Sequence, residues 1–209
     1  IGICMGASNI TVVEIEKNKQ GSIDLKNHYS KPHEGDAKKT LNNILEEHSL
    51  KNESIFAVTG RKFKNLVNLS TIAEPEATEI AYEHLIDKYG KVDAIVSAGG
   101  ETFMAYEIDD KGNIMDVYTG NKCASGTGEF FLQQIKRMDL ELAEALDIAR
   151  LDNPYHVSGR CSVFCKSDCT HALNKGENKG RIVAGLCSMM ADKIIELLAR
   201  FNPDDIMLV

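Results

Sequence analysis

Residues 1–29 read IGICMGASNITVVEIEKNKQGSIDLKNHY, and this stretch predicts the fold because its pattern returns later in the chain. It reads as a strand, a glycine-containing turn, a strand with period-two alternation, a second turn at KNKQGS and a third strand. Residues 93–120, DAIVSAGGETFMAYEIDDKGNIMDVYTG, follow the same plan, with turns at Gly99-Gly100 and at DDKGN. The repeat predicts two related strand meanders. Glycine turns are also common in unrelated α/β hairpins, so the repeat alone leaves coincidence open.

Segments with helical periodicity follow each meander. Apolar residues recur on one side of the first segment at Leu41, Ile44 and Leu45, and Gly90 is placed to end the second. The segments are DAKKTLNNILEEHSL (36–50), EATEIAYEHLIDKYG (76–90) and GRIVAGLCSMMADKIIELLARF (180–201), and a short strand, SIFAVTG (54–60), lies between the first two. Two meanders with helices predict a duplicated α/β architecture with halves at 1–90 and 91–209 and a cleft between them.

The bulk composition excludes several classes of protein. With 209 residues, of which 43% are hydrophobic, the chain is long enough for one large domain or two small ones. Its net charge of −7 and pI near 5.4 argue against binding to nucleic acid or to an anionic membrane, because both need clustered Lys and Arg. No apolar run approaches the roughly 18 residues of a membrane span, and no basic-then-apolar leader is present. We therefore expect a soluble, cytoplasmic protein.

The six cysteines do not form the pattern of a secreted disulfide framework, since they are unevenly spread along a large chain. Cys123 lies three residues before Gly126-Thr127-Gly128, and this turn opens a helical pattern. Backbone N–H groups at such a turn can bind phosphate, although a simple turn and helix cap is the ordinary interpretation. A cysteine beside this turn indicates that metal and phosphate chemistry could share one loop.

Taken together, these stretches resemble the acetate kinase, sugar kinase, Hsp70 and actin superfamily. They are more closely similar to the activators of 2-hydroxyacyl-CoA dehydratases in the BadF/BadG/BcrA/BcrD ATPase family. The segments that carry the resemblance are residues 2–9, SAGGET (97–102), NKCASGTGEF (121–130) and GRCSVFCKSD (159–168). The resemblance implies duplicated ribonuclease H-like, or actin-like ATPase, halves around a nucleotide cleft. Residues 1–90 would carry phosphate hairpin 1, and residues 91–209 would carry hairpin 2 and the cysteine segments.

The resemblance also implies a set of binding residues. Phosphates of ATP or ADP would contact hairpin 1, hairpin 2 and the turn before the helix, at Gly6, Ala7, Ser8, Asn9, Gly99, Gly100, Gly126, Thr127 and Gly128. Cys123 and Cys161 would bind a [4Fe-4S] cluster shared between two subunits, because such a cluster takes four thiolates and each copy offers two. The second half would be incomplete at its C-terminus, since in the family a Gly-Gly segment follows a strand such as IMLV.

The function implied is ATP-dependent, low-potential one-electron transfer by a homodimer or by paired domains. A ferredoxin or flavodoxin would be the donor, and a dehydratase or related reductase the acceptor. A nucleotide-binding regulatory or redox-sensing module without productive hydrolysis is the alternative. A small-molecule kinase is weaker, because no acceptor-activating Asp is identifiable.

The hairpins depart from the superfamily pattern in their acids. Cys4, Ser97 and Thr102 stand where carboxylates are usual, and Mg²⁺ prefers carboxylate oxygen and water. Glu101 and Glu79 are the remaining catalytic candidates, and both could instead be ordinary surface acids. These departures put Mg²⁺-assisted hydrolysis in question and motivate the regulatory alternative.

Two further cysteines, Cys165 and Cys169, lie outside the recognised pattern. If a helix begins near Ser162, they fall on one side of it with Cys161, as core thiols, extra ligands or a resolving thiol. If the helix begins near Ser167, the three cysteines no longer lie on one side of it. We favour core or near-cluster thiols over ligands for Cys165 and Cys169, and we place Cys187 in the core. The scattered histidines and the absence of P-loop, Rossmann and GxSxG motifs exclude zinc-hydrolase, P-loop, Rossmann and α/β-hydrolase sites from consideration.

Overall fold

The computed structural model describes residues 1–19, 22–48, 55–60, 67–120 and 127–209 of the chain. The chain divides into two compact units, Ile1–Lys88 and Tyr89–Val209. The boundary expected near Gly90 lies beside this division. Among the described residues, none of the helices combines the length and apolar character needed to cross a bilayer.

In its described residues, the first unit consists of a mixed sheet and two helices. Its elements in chain order are β1 (Gly2–Met5), β2 (Asn9–Lys17), β3 (Ile23–Pro32), α1 (Ala37–Glu47), β4 (Ala57–Thr59), β5 (Ser70–Thr71) and α2 (Glu74–Tyr89). The strand order is β3-β2-β1-β4-β5. The first three strands form the antiparallel meander, while β4 pairs in parallel with both β1 and β5.

The second unit repeats this plan and adds helices. Its elements are β6 (Ala94–Ala98), β7 (Phe103–Ile108), β8 (Ile114–Thr119), α3 (Gly128–Arg137), α4 (Leu142–Asp147), α5 (Ser162–Asn174), α6 (Lys179–Leu198) and β9 (Ile206–Leu208). The strand order β8-β7-β6-β9 matches β3-β2-β1-β4, and β9 pairs in parallel with β6 as β4 does with β1. The middle strand of each meander also has a register shift, after Glu14 in β2 and after Glu107 in β7. The predicted duplicated α/β fold is therefore confirmed.

The helix α1 forms where the apolar spacing predicted it. Ala37, Leu41 and Ile44 are buried on one face, at intervals of four and three residues. The Asp36 side chain caps the helix by accepting a hydrogen bond from the Lys39 amide at 3.1 Å. This face packs against the inner residues of the sheet, such as Ile10, to form the core of the first unit.

The long helix α6 joins two parts of the second unit. Its first turns pack into a core shared with α3 and α5, where Ile182 and Leu186 are fully buried. Its last turns contact the sheet, where Leu197 packs with Val96 and Phe103. Gly185 lies where a Cβ atom would be only 1.8 Å from the carbonyl oxygen of Tyr155. The glycine therefore lets the backbone of residue 155 approach α6.

A glycine at the end of β4 holds the first hairpin in place. Gly60 has a φ of +114°, and a Cβ atom there would lie 2.3 Å from the carbonyl oxygen of Met5. Met5 is the last residue of β1 and is fully buried. The close approach of these two backbones therefore positions the chain just before the turn at residues 6–9.

We predict that Gly60→Ala destabilises the chain more than Gly35→Ala. Both glycines have positive φ, but a Cβ atom at Gly35 meets no atom within 4 Å. Gly35→Ala carries backbone strain alone, of about 1 to 3 kcal/mol. Gly60→Ala adds overpacking against Met5, of about 1 to 3 kcal/mol more. Urea denaturation of the two variants measures the difference, and equal losses would show that the Met5 contact is not tight.

Candidate functional site

Hairpin 1 is a closed four-residue turn between β1 and β2. Gly6, Ala7 and Ser8 connect the strands, and Asn9 is the first residue of β2. The amide of Gly6 donates to the Asn9 carbonyl at 3.0 Å, and the amide of His33 donates to the Ser8 carbonyl at 3.0 Å. The turn is thus tied both to itself and to the end of β3.

Hairpin 2 has the same length and the same flanking strand register in the second unit. Residues 99–102 connect β6 to β7, and Ala98 pairs with Phe103 just as Met5 pairs with Ile10. A Cβ atom on Gly99 would lie 3.0 Å from the carbonyl oxygen three residues on, and the corresponding distance for Gly6 is 2.9 Å. Both turns therefore need glycine at their first position, for the same steric reason.

The start of α3 is hydrogen-bonded directly to hairpin 2. The amide of Gly128 donates to the Gly99 carbonyl at 3.1 Å, and the amide of Glu129 donates to the Gly100 carbonyl at 3.0 Å. A Cβ atom on Gly128 would lie 3.4 Å from Gly100 Cα. Thr127 caps the helix, and its Oγ1 accepts from the Phe130 amide at 3.1 Å. We call this contact the hairpin-helix junction.

The junction places three of the predicted phosphate-site residues, Gly99, Gly100 and Thr127, beside Gly128. It also shows that the first amides of α3 already have acceptors within the chain. The phosphate site predicted from the sequence relied on free backbone N–H groups at this helix start. A phosphate at hairpin 2 would therefore meet other donors. Gly126 and Cys123 lie outside the described residues.

Cys161 lies at the N-cap of α5, so the helix begins at Ser162 as one of the two alternatives predicted. The Cys161 side chain makes no capping hydrogen bond, and the residue is half-buried. Asp168 lies within α5, and its carboxylate accepts a hydrogen bond from the Ser158 amide at 2.9 Å. This bond ties the loop before Cys161 to the helix.

Cys165 and Cys169 are core thiols, as favoured from the sequence. Both are buried in the core shared by α3, α5 and α6, and neither is in a disulfide. The hydrogen bond between the two thiols, together with burial, raises the pKa of Cys165, whereas the same bond lowers the pKa of Cys169. Cys187 is only half-buried, although it packs against this core, and burial raises its pKa.

The two catalytic candidates lie in different units. Glu101 is exposed in hairpin 2, and Glu79 is half-buried in α2. Of the residues that replace the usual acids, Cys4 is exposed on β1 and pairs in register with Thr11 and Thr59. The outer face of the sheet at hairpin 1 is therefore polar but uncharged at these positions.

A carboxylate near hairpin 1 was missed by the sequence analysis. Glu74 is the first residue of α2. Although Cys4 is exposed as a residue, desolvation of its thiol and the negative charge of Glu74 both raise its pKa. The sequence Glu74-Pro75 could have identified this position, because Pro in the first turn marks the start of a helix.

A pocket in the second unit was also missed. Its volume is about 620 Å³, and it lies between the loop before α5 and α6. A smaller neighbouring pocket shares Lys193 and Glu196 with it and extends to Thr102 of hairpin 2. The larger pocket is lined by Pro154, Tyr155, His156, Val157, Gly159, Arg160, Gly185, Ser188, Met189, Asp192, Lys193 and Glu196. The signal in the sequence was the charged set at 192, 193 and 196, which interrupts an otherwise apolar helical pattern.

Two curated relatives illustrate the similarity of the sequence to known proteins. An uncharacterized protein YjiL of Escherichia coli is 30% identical over 137 residues, which are 64% of this chain and 53% of the relative. The activator of lactoyl-CoA dehydratase from Anaerotignum propionicum is 28% identical over 107 residues, which are 51% of this chain and 41% of the relative. The chain spans about half the length of these relatives or less.

The fold has a solved counterpart in the activator of the 2-hydroxyisocaproyl-CoA dehydratase from Clostridium difficile, determined with bound ADPNP. The two structures superpose with a TM-score of 0.81 at 19% sequence identity, over 100% of this chain and 78% of the other. This likeness identifies the fold as actin-like. The model of the BadF/BadG/BcrA/BcrD ATPase family matches residues 1–209. The chain therefore belongs to the BadF/BadG/BcrA/BcrD ATPase family.

Proposed function

We propose that this chain is the ATP-binding part of an activator that transfers one electron, at low potential, to a 2-hydroxyacyl-CoA dehydratase or a related reductase. Its family membership and the activators among its relatives support this assignment. A ferredoxin or flavodoxin is the proposed electron donor. Two copies, or paired domains, would act together.

The observation that carries the proposal is the hairpin-helix junction. Hairpin 2 is the proposed phosphate-contacting turn, and α3 begins directly after the segment that contains Cys123. The hydrogen bonds from the amides of Gly128 and Glu129 join the helix start directly to the turn. A change at hairpin 2 would therefore shift the end of the cysteine segment.

Each unit carries a hairpin that is proposed to contact phosphate. Gly6, Ala7, Ser8 and Asn9 would contact phosphate in hairpin 1, as would Gly99 and Gly100 in hairpin 2. Thr127 and Gly128 would act by holding hairpin 2 in position, with Gly126 beside them. The pocket between the α5 loop and α6 has room for a nucleoside, and it offers Lys193 and Arg160 as cations.

The residues present fit an iron–sulfur cluster. Cys161 is half-buried with a side chain not engaged in capping, so its sulfur is available as a ligand. The positive end of the α5 dipole favours negative charge at this position. Within the described part of the chain, no group of three or more His, Cys, Asp or Glu side chains lies together to hold a metal. Cys123 and Cys161 from two copies would supply the four thiolates, and the bound [4Fe-4S] cluster would supply the one-electron chemistry.

The surface beside Cys161 suits a contact with a second copy. Val163 and Phe164 follow Cys161 in the first turn of α5 and are 68% and 64% exposed. Apolar side chains exposed together beside a ligand are stabilised when another protein surface covers them. The proposed shared cluster would bring such a surface to this turn.

Whether the chain hydrolyses ATP or only binds it depends on which carboxylates lie near the hairpins. Glu101 and Glu79 are the proposed catalytic carboxylates, and the position of Glu74 near Cys4 adds a third that could hold a Mg²⁺-bound water. The uncharged row at Cys4, Thr11 and Thr59 favours the alternative, a nucleotide-binding regulatory module without productive hydrolysis. Steady Mg²⁺-dependent ATP turnover by the chain would remove this alternative.

We expect Cys161→Ala to abolish the cluster, because each half of the site would lose one of its two thiolates. Anaerobic reconstitution followed by iron and sulfide analysis and EPR measures this. The wild type should hold about four iron and four sulfide per two chains. Cys187→Ala removes a half-buried cysteine outside the ligand pattern and should retain the cluster. A wild type without iron, or full iron content in Cys161→Ala, would contradict the proposal.

We expect Glu101→Gln and Glu74→Gln each to lower Mg²⁺-dependent ATP turnover by about 10- to 100-fold, the range for loss of a group that orients a metal or its water. Glu76→Gln is the matched control, because Glu76 is an exposed acid in the first turn of α2. Initial rates of phosphate release, with nucleotide affinity measured separately, provide the readout. Turnover unchanged in both variants would remove these carboxylates from the reaction.

A further inference from the structure

A thiol pair inside α5 is not used by the proposed function. Cys165 and Cys169 lie one helical turn apart on α5, and they are 0% and 3% exposed. Both sulfurs lie in the core, so the pair is held together by the helix and by the packing around it. Neither residue belongs to the cysteine pattern of the two ligand segments.

A small pocket reaches one of the two thiols. Its volume is about 200 Å³, and Cys169 lines it while Cys165 does not. Its polar lining comes from Gln134 and Arg137 of α3 and from Thr170 and Asn174 of α5. The guanidinium of Arg137 donates to Thr170 Oγ1 at 3.3 Å. A small polar molecule can therefore approach Cys169 from the α3 side.

Cys169 is the thiol that lines the pocket beside Arg137, whose positive charge favours its thiolate. The hydrogen bond from Cys165 lowers the pKa of Cys169, and the charge of Arg137 acts in the same direction. Burial and the charge of Asp168 oppose this. The thiolate is the nucleophilic form of cysteine, so the sulfur that faces the pocket is also the more reactive one.

We propose that Cys169 is a peroxide-reactive thiol and that Cys165 is its resolving partner. The pocket admits hydrogen peroxide to Cys169, Arg137 supplies positive charge at the same pocket, and Cys165 lies one helical turn from Cys169. The chemistry does not depend on the iron–sulfur cluster or on nucleotide binding.

The reaction balances with hydrogen peroxide as the only oxidant. The Cys169 sulfur attacks one peroxide oxygen, the O–O bond breaks, and the departing hydroxide takes a proton to leave as water. The Cys165 sulfur then attacks the sulfenic sulfur of Cys169, the S–O bond breaks, and a second water leaves with the thiol proton. Two thiols are oxidised to one disulfide, and one peroxide is reduced to two waters.

Closing this disulfide would change α5. Residues four apart on a helix have Cβ atoms about 5 to 6 Å apart. A disulfide needs them at about 3.8 Å, so the turn between Cys165 and Cys169 must tighten or open. The preceding turn begins at Cys161, whose carbonyl accepts from the Cys165 amide at 3.0 Å. Oxidation would therefore disturb the helix that carries the proposed cluster ligand.

Peptide mass spectrometry after peroxide treatment tests the proposal. The anaerobically purified chain is treated with hydrogen peroxide in the presence or absence of dimedone, alkylated and cut with trypsin. Cleavage after Lys166 separates the two cysteines into peptides 161–166 and 167–175. The wild type should give these peptides joined by a disulfide. Cys165→Ala should lose the link and accumulate the dimedone adduct on 167–175.

A surface variant keeps the test independent of core packing. Arg137 is exposed, and Arg137→Gln should slow oxidation of Cys169 by up to about tenfold, the effect of one pKa unit on the thiolate fraction. Lys136→Gln removes a neighbouring exposed charge that does not line the pocket, and should leave the rate unchanged. Oxidation of 167–175 no faster than that of the Cys187 peptide, 182–193, or equal rates in the two charge variants, would overturn the proposal.

Discussion

Two backbone hydrogen bonds join hairpin 2 to the start of α3, and the candidate site depends on them. They run from the amides of Gly128 and Glu129 to the carbonyls of Gly99 and Gly100. Each such bond contributes only about 0.5 to 1.5 kcal/mol of net stability, but a buried carbonyl or amide left unpaired costs about 1 to 3 kcal/mol. The two bonds therefore hold the turn against the helix start, where a Cβ atom on Gly128 would lie 3.4 Å from Gly100 Cα, at van der Waals contact.

The two halves share a strand order, but their hairpins are held differently. Hairpin 1 is fixed from the strand side, by the contact of Gly60 with Met5 and by the bond from His33 to Ser8. Hairpin 2 is fixed from the helix side, through the hairpin-helix junction. Duplication thus supplies two similar turns, and among the described residues only the second is bonded to the helix that follows a cysteine segment. In the proposed function, this difference would let the second unit couple nucleotide binding to the proposed metal ligands.

Patterns that are local in the sequence predicted most of the fold. Period-two alternation and the returning glycine turns identified both meanders, and the spacing of Leu41 and Ile44 identified α1. The features that were missed depend on tertiary packing. Glu74 approaches Cys4 only after α2 folds back onto the sheet. Lys193 and Thr102 line the same pocket only after α6 packs against the second unit's sheet. The sequence also could not predict that the amides of Gly128 and Glu129 are hydrogen-bonded, because their acceptors lie about 30 residues away in the chain.

In the proposed function, hairpin 2 transmits the presence of nucleotide to the start of α3. Hydrogen–deuterium exchange of the chain with and without saturating Mg²⁺-ADP tests it most directly, with α4 as an internal reference. We expect nucleotide to slow exchange in hairpin 2 and at the amides of Gly128 and Glu129 together, and to leave exchange in α4 unchanged. Protection of the hairpin with no change at these two amides would contradict it.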